Sequence, residues 1–460
     1  MIKDLTHGEP IKLMMIFSIP LLIGNIFQQF YNIADIIIVG RTLGMNALAA
    51  VGAVSPLFFL IMFIIIGLTN GFAVITGQRF GAKDYNGVRR SFVVSTVLSY
   101  VFTIIFSVFC SLFLKRILYF MNVPSEIFND AYWYTLICVI GLVISNFYNL
   151  LANVIRALGD SLTPLYALVI ASVVNIFLAL VFILKLGLGV PGSAFALIFS
   201  QGISGILCMI YIKYKMPVLH LSRSHWHISK NDIPFAVEHL RVGLPTALQF
   251  AIIGVSILII QAVCNSFGAD IIASFTAALR IEQIAILPMV TFGIAVATFV
   301  AQNFGARYYS RIKNGVKKAS LINFILSMIM AIVMYFWGSD LVRLFIGSEN
   351  DNIVKIAHSY LTISSMFYFF LAQIFIYRNA LQGLGRPVIP LIVSIGELVM
   401  RSFCAICLAG MIGYYSVFYS GPVSWVTASI VVAIGYYTTI NRFFIKSHKK
   451  FKSEFYSNNS

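Results

Sequence analysis

The sequence predicts an all-α integral membrane protein, with twelve transmembrane helices in two six-helix lobes related by a parallel internal repeat. Three observations support this fold class: an apolar composition, twelve long apolar runs, and motifs that recur at one spacing. Hydrophobic residues make up 60% of the 460 positions and charged residues only 10%, whereas soluble domains carry about 25% charged residues. A water-soluble fold is therefore excluded.

The twelve runs follow from the physics of the bilayer. A helix needs about 20 mostly apolar residues to cross the membrane, and all its backbone polar groups must be satisfied internally. We find suitable runs near residues 12–38, 49–77, 91–114, 130–155, 161–184, 187–212, 239–266, 271–301, 319–339, 356–380, 387–413 and 417–441. The polar start leads into the first run without a small-residue cleavage site, so we expect no removable signal peptide.

The basic residues predict the orientation. The formal net charge is +16, but the basic residues lie in short loops and are not gathered on one face, so we expect no nucleic-acid partner. An even number of spans puts both termini on one side, and most Lys and Arg lie in loops on that side. Because cytoplasmic loops carry this excess, both termini are predicted to be cytoplasmic, in a multi-pass cell (plasma or inner) membrane. The opposite side holds Arg41, Lys115, Arg116, Lys185, Arg343 and Lys355.

Two motifs recur along the chain. GQRFGAK at 77–83 returns as AQNFGAR at 301–307, and RALGDSLTP at 156–164 returns as NALQGLGRPVIP at 379–390. Pro20 and Pro245 also correspond, and the offset between partners is nearly the same in all these matches. This repeat offset spans six helices, so both halves enter the membrane in the same direction, which defines a parallel repeat.

The repeat suggests a division of the chain. We predict an N-lobe at 1–214 with helices 1–6, a cytoplasmic linker at 215–238, a C-lobe at 239–445 with helices 7–12, and a basic cytoplasmic tail at 446–460.

Asp35 is the strongest candidate for function, because charges inside the membrane are costly and usually functional. Its helix, PLLIGNIFQQFYNIADIIIVG, has no basic residue near the acid. Three polar residues share its helix face at 3.6 residues per turn: Gln28, Tyr31 and Asn32. The acid and this polar stripe favour a wetted cavity.

Amide side chains form a second polar group. Asn146, Asn149 and Asn153 repeat at helical spacing on the fourth helix, and Asn175 lies on the fifth. Such residues can simply hold helices together by hydrogen bonds. Their concentration near an unpaired acid instead favours a cavity that contacts substrate.

Four other ionisable residues lie at membrane depth. Glu397 and Arg401 are four apart, where side chains on a helix meet, so we expect them to neutralise one another. Arg280 and Glu282 are two apart and point to different faces, so each needs a partner from another helix. Either a buried interhelical ion pair or a secondary functional site fits them.

No other source of energy is visible. The chain has no GxxxxGK[ST] phosphate loop for nucleotide, no His or Cys cluster for a metal or haem, and no Ser, His and Asp set at membrane depth. We therefore expect a transporter, not an enzyme, with no cofactor and with H⁺ or Na⁺ as the coupling ion.

At this point the residues resemble the multidrug and toxic compound extrusion (MATE) family of efflux transporters, in its DinF-like branch. The resemblance covers about residues 20–443. Its motifs are QxxYxxxDxxxVG at 28–40, the paired QRFGA and QNFGA segments, RALGD before Pro164, GVPGSA at 189–194 and RIEQ at 280–283.

The resemblance implies two lobes that alternate between outward-facing and inward-facing states, and antiport of H⁺ or Na⁺ against organic, often cationic, compounds. It implies coupling by an acid on the first helix, matched by Asp35. The family's amides on the first, fourth and fifth helices are matched by Gln28, Asn149, Asn153 and Asn175.

Two departures from the family pattern bear on the ion. Ala179 stands where the branch often has an acid, and Leu197 stands where Thr is common. Both remove oxygen ligands, which a hard cation such as Na⁺ needs, and so favour H⁺. Carbonyl groups, amides and water could still complete a Na⁺ site.

Three rival functions fit the sequence less well. A lipid-linked oligosaccharide flippase of the same superfamily would need several basic residues in its cavity, whereas Arg280 and Arg401 alone are identified at depth. A channel has no need of two rocking halves, and a receptor should carry sizeable extramembrane domains. We therefore expect a monomeric antiporter in the lipid bilayer that exports small organic compounds, with the substrate unidentified.

Overall fold

The computed structural model describes residues 3–227, 232–346 and 351–457, and the side chains of residues 32, 224, 345, 346 and 446–457 lie outside the description. Within this part of the chain the regular structure is helical, without strands. The α-helices are α1 (Pro10–Leu43), α2 (Met45–Gly81), α3 (Tyr85–Phe120), α4 (Ser125–Ile140), α5 (Leu142–Ala157), α6 (Leu162–Leu180), α7 (Gly189–Lys215), α8 (Ile233–Asn265), α9 (Ala269–Gly305), α10 (Tyr309–Ile346), α11 (Asp351–Met366), α12 (Tyr368–Gly383), α13 (Val388–Cys407), α14 (Ala409–Ile412) and α15 (Tyr415–Ser457).

The described helices match the predicted membrane spans. Ten are long and apolar enough to cross a bilayer by themselves, and two bent pairs raise the number to twelve. One pair is α4 with α5, bent by 46°, and the other is α11 with α12, bent by 54°. The predicted all-α fold with up to twelve spans is therefore confirmed, although the sequence predicted two uninterrupted helices where the bent pairs lie.

The internal repeat is visible in the backbone. The breaks at Gly141 and Phe367 lie at equivalent positions of the two repeats, as do the ends of α5 and α12. Lys83 and Arg307 both have positive φ, of 58° and 62°, and follow the ends of α2 and α9. Gly159 and Gly385 match in the same way, with φ of 86° and 69°.

The FGAK and FGAR segments end two helices in the same manner. After α2, the backbone N–H of Lys83 donates to the carbonyl oxygen of Phe80, and the backbone N–H of Asp84 donates to the carbonyl oxygen of Arg79. After α9, the backbone N–H of Arg307 donates to the carbonyl oxygen of Phe304, and the backbone N–H of Tyr308 donates to the carbonyl oxygen of Asn303. These paired bonds around a left-handed residue satisfy the last carbonyl groups of a helix, so the recurring motif encodes a helix end.

The chain forms two compact units, and two helices are shared between them. Unit 1 comprises Met1–Asp4 and Ile19–Gly254, and unit 2 comprises Leu5–Ser18 and Val255–Ser460. The start of α1 therefore belongs to unit 2, and the first two-thirds of α8 belong to unit 1. The lobe, linker and tail boundaries expected from the sequence remain a proposal.

In unit 1, a hydrogen-bond chain fastens α8 to α2 and α3. His239 Nδ1 lies 2.8 Å from the carbonyl oxygen of Phe235, its Nε2 lies 2.8 Å from Ser91 Oγ, and Ser91 lies 2.8 Å from Thr76 Oγ1. A carbonyl only accepts, so Nδ1 carries the proton in this arrangement and Nε2 of the neutral ring accepts from Ser91. We call Thr76, Ser91 and His239 the three-helix chain.

Small residues let α2 and α8 approach closely in unit 1. Gly67 and Gly71 are spaced as in GxxxG, and they face Gly243 and Ala247 with the same spacing. A Cβ atom on Gly71 would lie 2.7 Å from the Cα of Gly243, and one on Gly67 would lie 2.9 Å from the Cα of Ala247. Such small-residue faces allow tight packing of membrane helices without a hydrophobic driving force.

In unit 2, the segment before α1 is held by the second copy of the motif. The backbone N–H of Leu5 donates to Gln302 Oε1 at 2.8 Å, and the Leu5 carbonyl accepts from Asn303 Nδ2 at 3.1 Å. In unit 1, Arg79 of the first copy bonds Glu238 near the start of α8 at 2.8 Å. Each copy therefore fastens the beginning of a helix that continues into the other unit.

Candidate functional site

Asp35 lies on the part of α1 that belongs to unit 1. Its side chain is half-buried, and Ser193 of α7 donates to it, with Oγ 3.2 Å from Oδ1 and 3.5 Å from Oδ2. Ser193 is 1% exposed, so this hydroxyl is fixed inside the unit. Among the described side chains, Asp35 has no salt-bridge partner.

Hydroxyl and thiol groups also lie near Asp35. Tyr31, one turn earlier on α1, is 9% exposed. Tyr134 and Cys138 of α4 are buried and lie close enough to interact electrostatically with the carboxyl group. A carboxylate in such neutral surroundings can bind a proton or a small cation without first breaking an ion pair.

Three buried amides hold neighbouring helices in unit 1. Asn146 of α5 donates to Ser99 Oγ of α3 at 3.3 Å. Asn153 donates to Thr69 Oγ1 of α2 at 3.0 Å and accepts from Arg156 at 3.0 Å. Asn175 of α6 donates to Ser200 of α7 at 3.4 Å, and its Oδ1 has no hydrogen-bond partner. These bonds are of the helix-holding kind, although the open oxygen of Asn175 leaves it able to bind a further donor.

The remaining predicted amides differ in their surroundings. Asn149 donates to the carbonyl oxygen of Ser145 on its own helix at 2.8 Å, which leaves its Oδ1 available. Gln28 is half-buried. The side chain of Asn32 lies outside the described residues. No hydrogen bond in the described part joins Asp35 to Gln28 or Asn149, so the acid and the amides do not form one bonded cluster.

Sequence reasoning missed Ser193, Tyr134 and Cys138. Ser193 lies in GVPGSA, a motif quoted for the resemblance without a role for its hydroxyl. Tyr134 and Cys138 are four apart on α4 and so share a face, which is the signal that could have drawn attention to them. Nothing in local spacing connects either helix to α1, because that contact is tertiary.

The ionisable residues of α9 have contrasting surroundings. Arg280 is exposed, whereas Glu282 is 7% exposed and accepts a hydrogen bond of 2.7 Å from Tyr360. The expectation that they point to different faces agrees with this difference.

The expected pair of Glu397 and Arg401 does not form. Glu397 makes a salt bridge with Arg378 of α12, and the two side chains are only 10% and 8% exposed. Arg401 instead donates from Nε to Ser424 at 3.0 Å, with its guanidinium 5.8 Å from the ring centroid of Trp425. The spacing on α13 permitted the pair, but Arg378 across the helix interface offers a buried partner.

The MatE family model matches the chain twice, over residues 20–181 and 245–406. The two matches start at Pro20 and Pro245, the same two prolines that correspond in the sequence repeat. Together they cover more than two-thirds of the chain.

Several relatives align over most of their length. A probable multidrug resistance protein, YoeA of Bacillus subtilis (strain 168), is 29% identical over 388 residues, 83% of each chain. The multidrug export protein MepA of Staphylococcus saprophyticus is 24% identical over 82% of each chain. An FAD transporter of Shewanella oneidensis is 22% identical, over 85% of this chain and 86% of its own.

Solved structures agree with the fold. A MATE protein in the bent conformation aligns with a TM-score of 0.88 at 25% identity, over 96% of this chain and 98% of its own. A MOP superfamily transporter from Pyrococcus furiosus aligns with a TM-score of 0.87 at the same identity and coverage. Because the family model matches both halves and the fold agrees along almost the whole chain, this protein belongs to the MatE family of membrane transporters.

Proposed function

We propose that the protein is a secondary active antiporter that exports organic, mainly cationic, compounds in exchange for H⁺ or Na⁺ by alternating access. The observation that carries the proposal is the carboxyl group of Asp35, half-buried in a membrane helix and bonded to a hydroxyl group without a basic partner among the described side chains. Relatives named for multidrug resistance and multidrug export support the substrate class.

The chemistry of the proposal is competition for one negative charge. An ionised Asp35 attracts a cationic substrate, whereas a bound proton or Na⁺ neutralises it. By thermodynamic linkage, each ligand then weakens the binding of the other. With ion bound from the outside and substrate bound from the cytoplasm, the ion gradient drives export.

Two positions of unit 1 favour H⁺ over Na⁺. Na⁺ needs several oxygen ligands in place of its water. Ala179 is buried and Leu197 is apolar, so neither position supplies the oxygen that an acid or Thr would bring. Asn146 and Asn175 each keep a buried Oδ1 without a hydrogen-bond partner, and either oxygen is able to assist an ion site.

A flippase function is disfavoured. It would need cations free to bind an anionic headgroup, but Arg378 is paired with Glu397. Arg401 is bonded to Ser424. Arg280 is exposed, and one guanidinium is a weak basis for such a site.

Transport in proteoliposomes tests the proposal. Efflux of a fluorescent organic cation is followed after a pH or Na⁺ gradient is imposed, for the unaltered protein, Asp35→Asn and the control Asp270→Asn. Asp270 is an exposed acid at the start of α9, so its loss should not change coupling. We expect gradient-driven efflux to be lost only in Asp35→Asn, and an unaltered rate in that variant would exclude Asp35 as the coupling group.

A further inference from the structure

A cavity at the start of α10 takes no part in the proposed function. It has a volume of about 570 Å³ and lies between Pro10 at the start of α1, the start of α10, and Phe444 of α15. The α10 side comprises residues 307–311 and Asn314. All of these residues belong to unit 2. Ligand pockets in proteins have volumes of roughly 300–1,000 Å³, so this cavity has room for a group the size of a lipid headgroup.

The lining of this cavity is cationic. Arg307 and Arg311 both line it, together with the hydroxyl-bearing side chains of Ser310 and two tyrosines. None of the described residues in the lining is acidic, and Glu9, next to Pro10 in sequence, is exposed and lies outside the lining. Arginine binds phosphate oxygens through paired N–H groups. Two guanidinium groups beside hydroxyl groups are therefore suited to a phosphate group.

Arg311 is held in position by its neighbours. Its Nη2 donates to the carbonyl oxygen of Leu5 at 3.3 Å, and its guanidinium carbon lies 5.5 Å from the ring centroid of Phe299. Leu5 is itself bonded to Gln302 and Asn303 of the second copy of the motif. An anion that binds Arg311 therefore meets a charge that is already oriented, which reduces the conformational entropy lost on binding.

The first repeat has its own anion at the position where the second repeat has a tyrosine. The repeat offset aligns Asp84 with Tyr308 and Gly87 with Arg311. In the first repeat, Asp84 Oδ1 accepts from the backbone N–H of Gly87 at 2.8 Å, and its Oδ2 lies 3.9 Å from Arg79. In the second repeat, Tyr308 has no carboxyl group to offer and Arg311 adds a cation. The same place is therefore suited to an anion from outside the chain.

Apolar side chains border the cationic lining. The ring of Tyr309 stacks on that of Phe443, with centroids 6.0 Å apart, and the next two side chains, Phe444 and Ile445, are 42% and 55% exposed. Pro10 comes just before the first predicted span, and Phe444 comes just after the last. Aromatic side chains at the ends of spans are typical of the level of lipid headgroups. The cavity therefore lies at the level where headgroups meet acyl chains.

We propose that this cavity binds the phosphate group of an anionic lipid, on the side of the membrane predicted to be cytoplasmic. Arg307 and Arg311 bind the phosphate oxygens, and Phe444 and Ile445 contact the apolar part of the lipid. The inference goes beyond the proposed antiport and does not depend on Asp35.

Two features favour a lipid over a soluble phosphate ion. A soluble ion would contact the cations but would gain nothing from the exposed apolar side chains beside them. Anionic lipids of the cytoplasmic leaflet also attract basic segments next to the membrane, and the sequence after Ile445 continues with Lys446, Lys449 and Lys450. Because these lysines are cationic, they do not compete for the cavity.

Native mass spectrometry of the purified protein in a neutral detergent tests the inference by counting bound lipids. The protein is titrated with phosphatidylglycerol or with phosphatidylcholine of the same acyl chains. A basic residue near a membrane surface contributes about 1 kcal/mol to the binding of anionic lipid, so two arginines predict that the first phosphatidylglycerol binds about thirtyfold more tightly than phosphatidylcholine. Equal affinities for the two lipids would overturn the inference. Displacement of phosphatidylglycerol by an equal concentration of inorganic phosphate would overturn the assignment to a lipid.

Arg307→Gln and its counterpart in the first repeat, Lys83→Gln, form a matched pair. Both residues are exposed, both have positive φ, and each substitution removes one positive charge. Arg307→Gln should weaken the binding of phosphatidylglycerol by about fivefold, whereas Lys83→Gln should leave it unaltered. Equal effects of the two substitutions, or no effect of Arg307→Gln, would mean that general surface charge attracts the lipid and would overturn the inference.

Tyr308→Asp covers the case in which Arg307→Gln fails to fold. It places a carboxyl group where the first repeat has Asp84, so it should cap the start of α10 and should not lower the midpoint of thermal unfolding. The same carboxyl group occupies the place of the phosphate and repels it. We therefore expect at least a fivefold loss of phosphatidylglycerol affinity with an unaltered midpoint. An unaltered affinity in this variant would overturn the inference, and the proposed function would stand.

Discussion

The buried pair of Arg378 and Glu397 gives a quantitative test of the packing of unit 2. Both side chains are at most 10% exposed. Removing one partner of a buried pair leaves an uncompensated charge, at a cost of about 3–5 kcal/mol. Glu397→Gln should therefore destabilise the protein by about this amount, and the double variant Arg378→Met with Glu397→Met should recover most of it.

A double-mutant cycle identifies the true partner of Glu397. Unfolding is followed by tryptophan fluorescence during denaturant titration in mixed micelles, for substitutions at 378, 397 and 401. The coupling energy between 378 and 397 should reach or exceed about 3 kcal/mol, the upper end for contacting residues, because the double variant regains most of what a single substitution loses, and coupling between 401 and 397 should be small. Stronger coupling of Glu397 to Arg401 than to Arg378 would refute the assignment.

Three further substitutions test helix packing and buried hydrogen bonds, two of them with a matched control. Each is measured by the shift in the midpoint of unfolding in detergent. Gly71→Ala should cost about 1–3 kcal/mol by overpacking. Gly52→Ala should be neutral, because nothing lies within 4 Å of the position that its Cβ would take. Ser91→Ala should cost about 1–3 kcal/mol, because it leaves the buried partners of Ser91 in the three-helix chain unpaired. The control Ser95→Ala should not destabilise the protein, because the Ser95 hydroxyl has no partner. Equal effects of the two substitutions would contradict this reasoning. Asp160→Asn should lower stability at neutral pH but lose its effect in acid.

The acid dependence follows from the hydrogen bonds of Asp160, which lies between α5 and α6. Burial opposes ionisation, but hydrogen bonds from Thr163 and Tyr211 lower the pKa of Asp160 below its ordinary value. A lowered folded-state pKa stabilises the fold above the unfolded value, roughly 3.9. That stabilisation disappears as the pH falls through the folded-state pKa. A difference between the variant and the unaltered protein that grew in acid would contradict this.

The span pattern and the repeat could be predicted from the sequence because both depend on local composition. A lipid-spanning helix needs a long apolar run, and helix ends such as FGAK carry their own signature. The bends at Gly141 and Phe367 were not predicted, because each lies inside a continuous apolar run. At Gly141 the relevant contact is tertiary, because a Cβ there would lie 2.2 Å from Ile198 Cδ1 of α7.

Partners between helices were the main limit of sequence reasoning. The close spacing of Glu397 and Arg401 on one helix suggested a pair, but Arg378, on a different helix, takes that place. In the same way, the sequence indicated a role for Asp35 because no basic residue lies near it on α1. It did not indicate the hydrogen-bond partner of Asp35, because Ser193 lies far away in sequence, on α7. Spacing within one helix reports which side chains share a face, and not which helix that face meets.

The central claim is that ion and substrate compete for Asp35. Equilibrium binding of tetraphenylphosphonium to the purified protein, measured across pH and Na⁺ concentration, tests it most directly. If ion and substrate compete for Asp35, the affinity for tetraphenylphosphonium falls as the coupling ion becomes more concentrated, and Asp35→Asn removes this dependence. An affinity that changes with neither pH nor Na⁺ concentration in the unaltered protein would contradict this mechanism. So would a dependence on either ion that remains in Asp35→Asn.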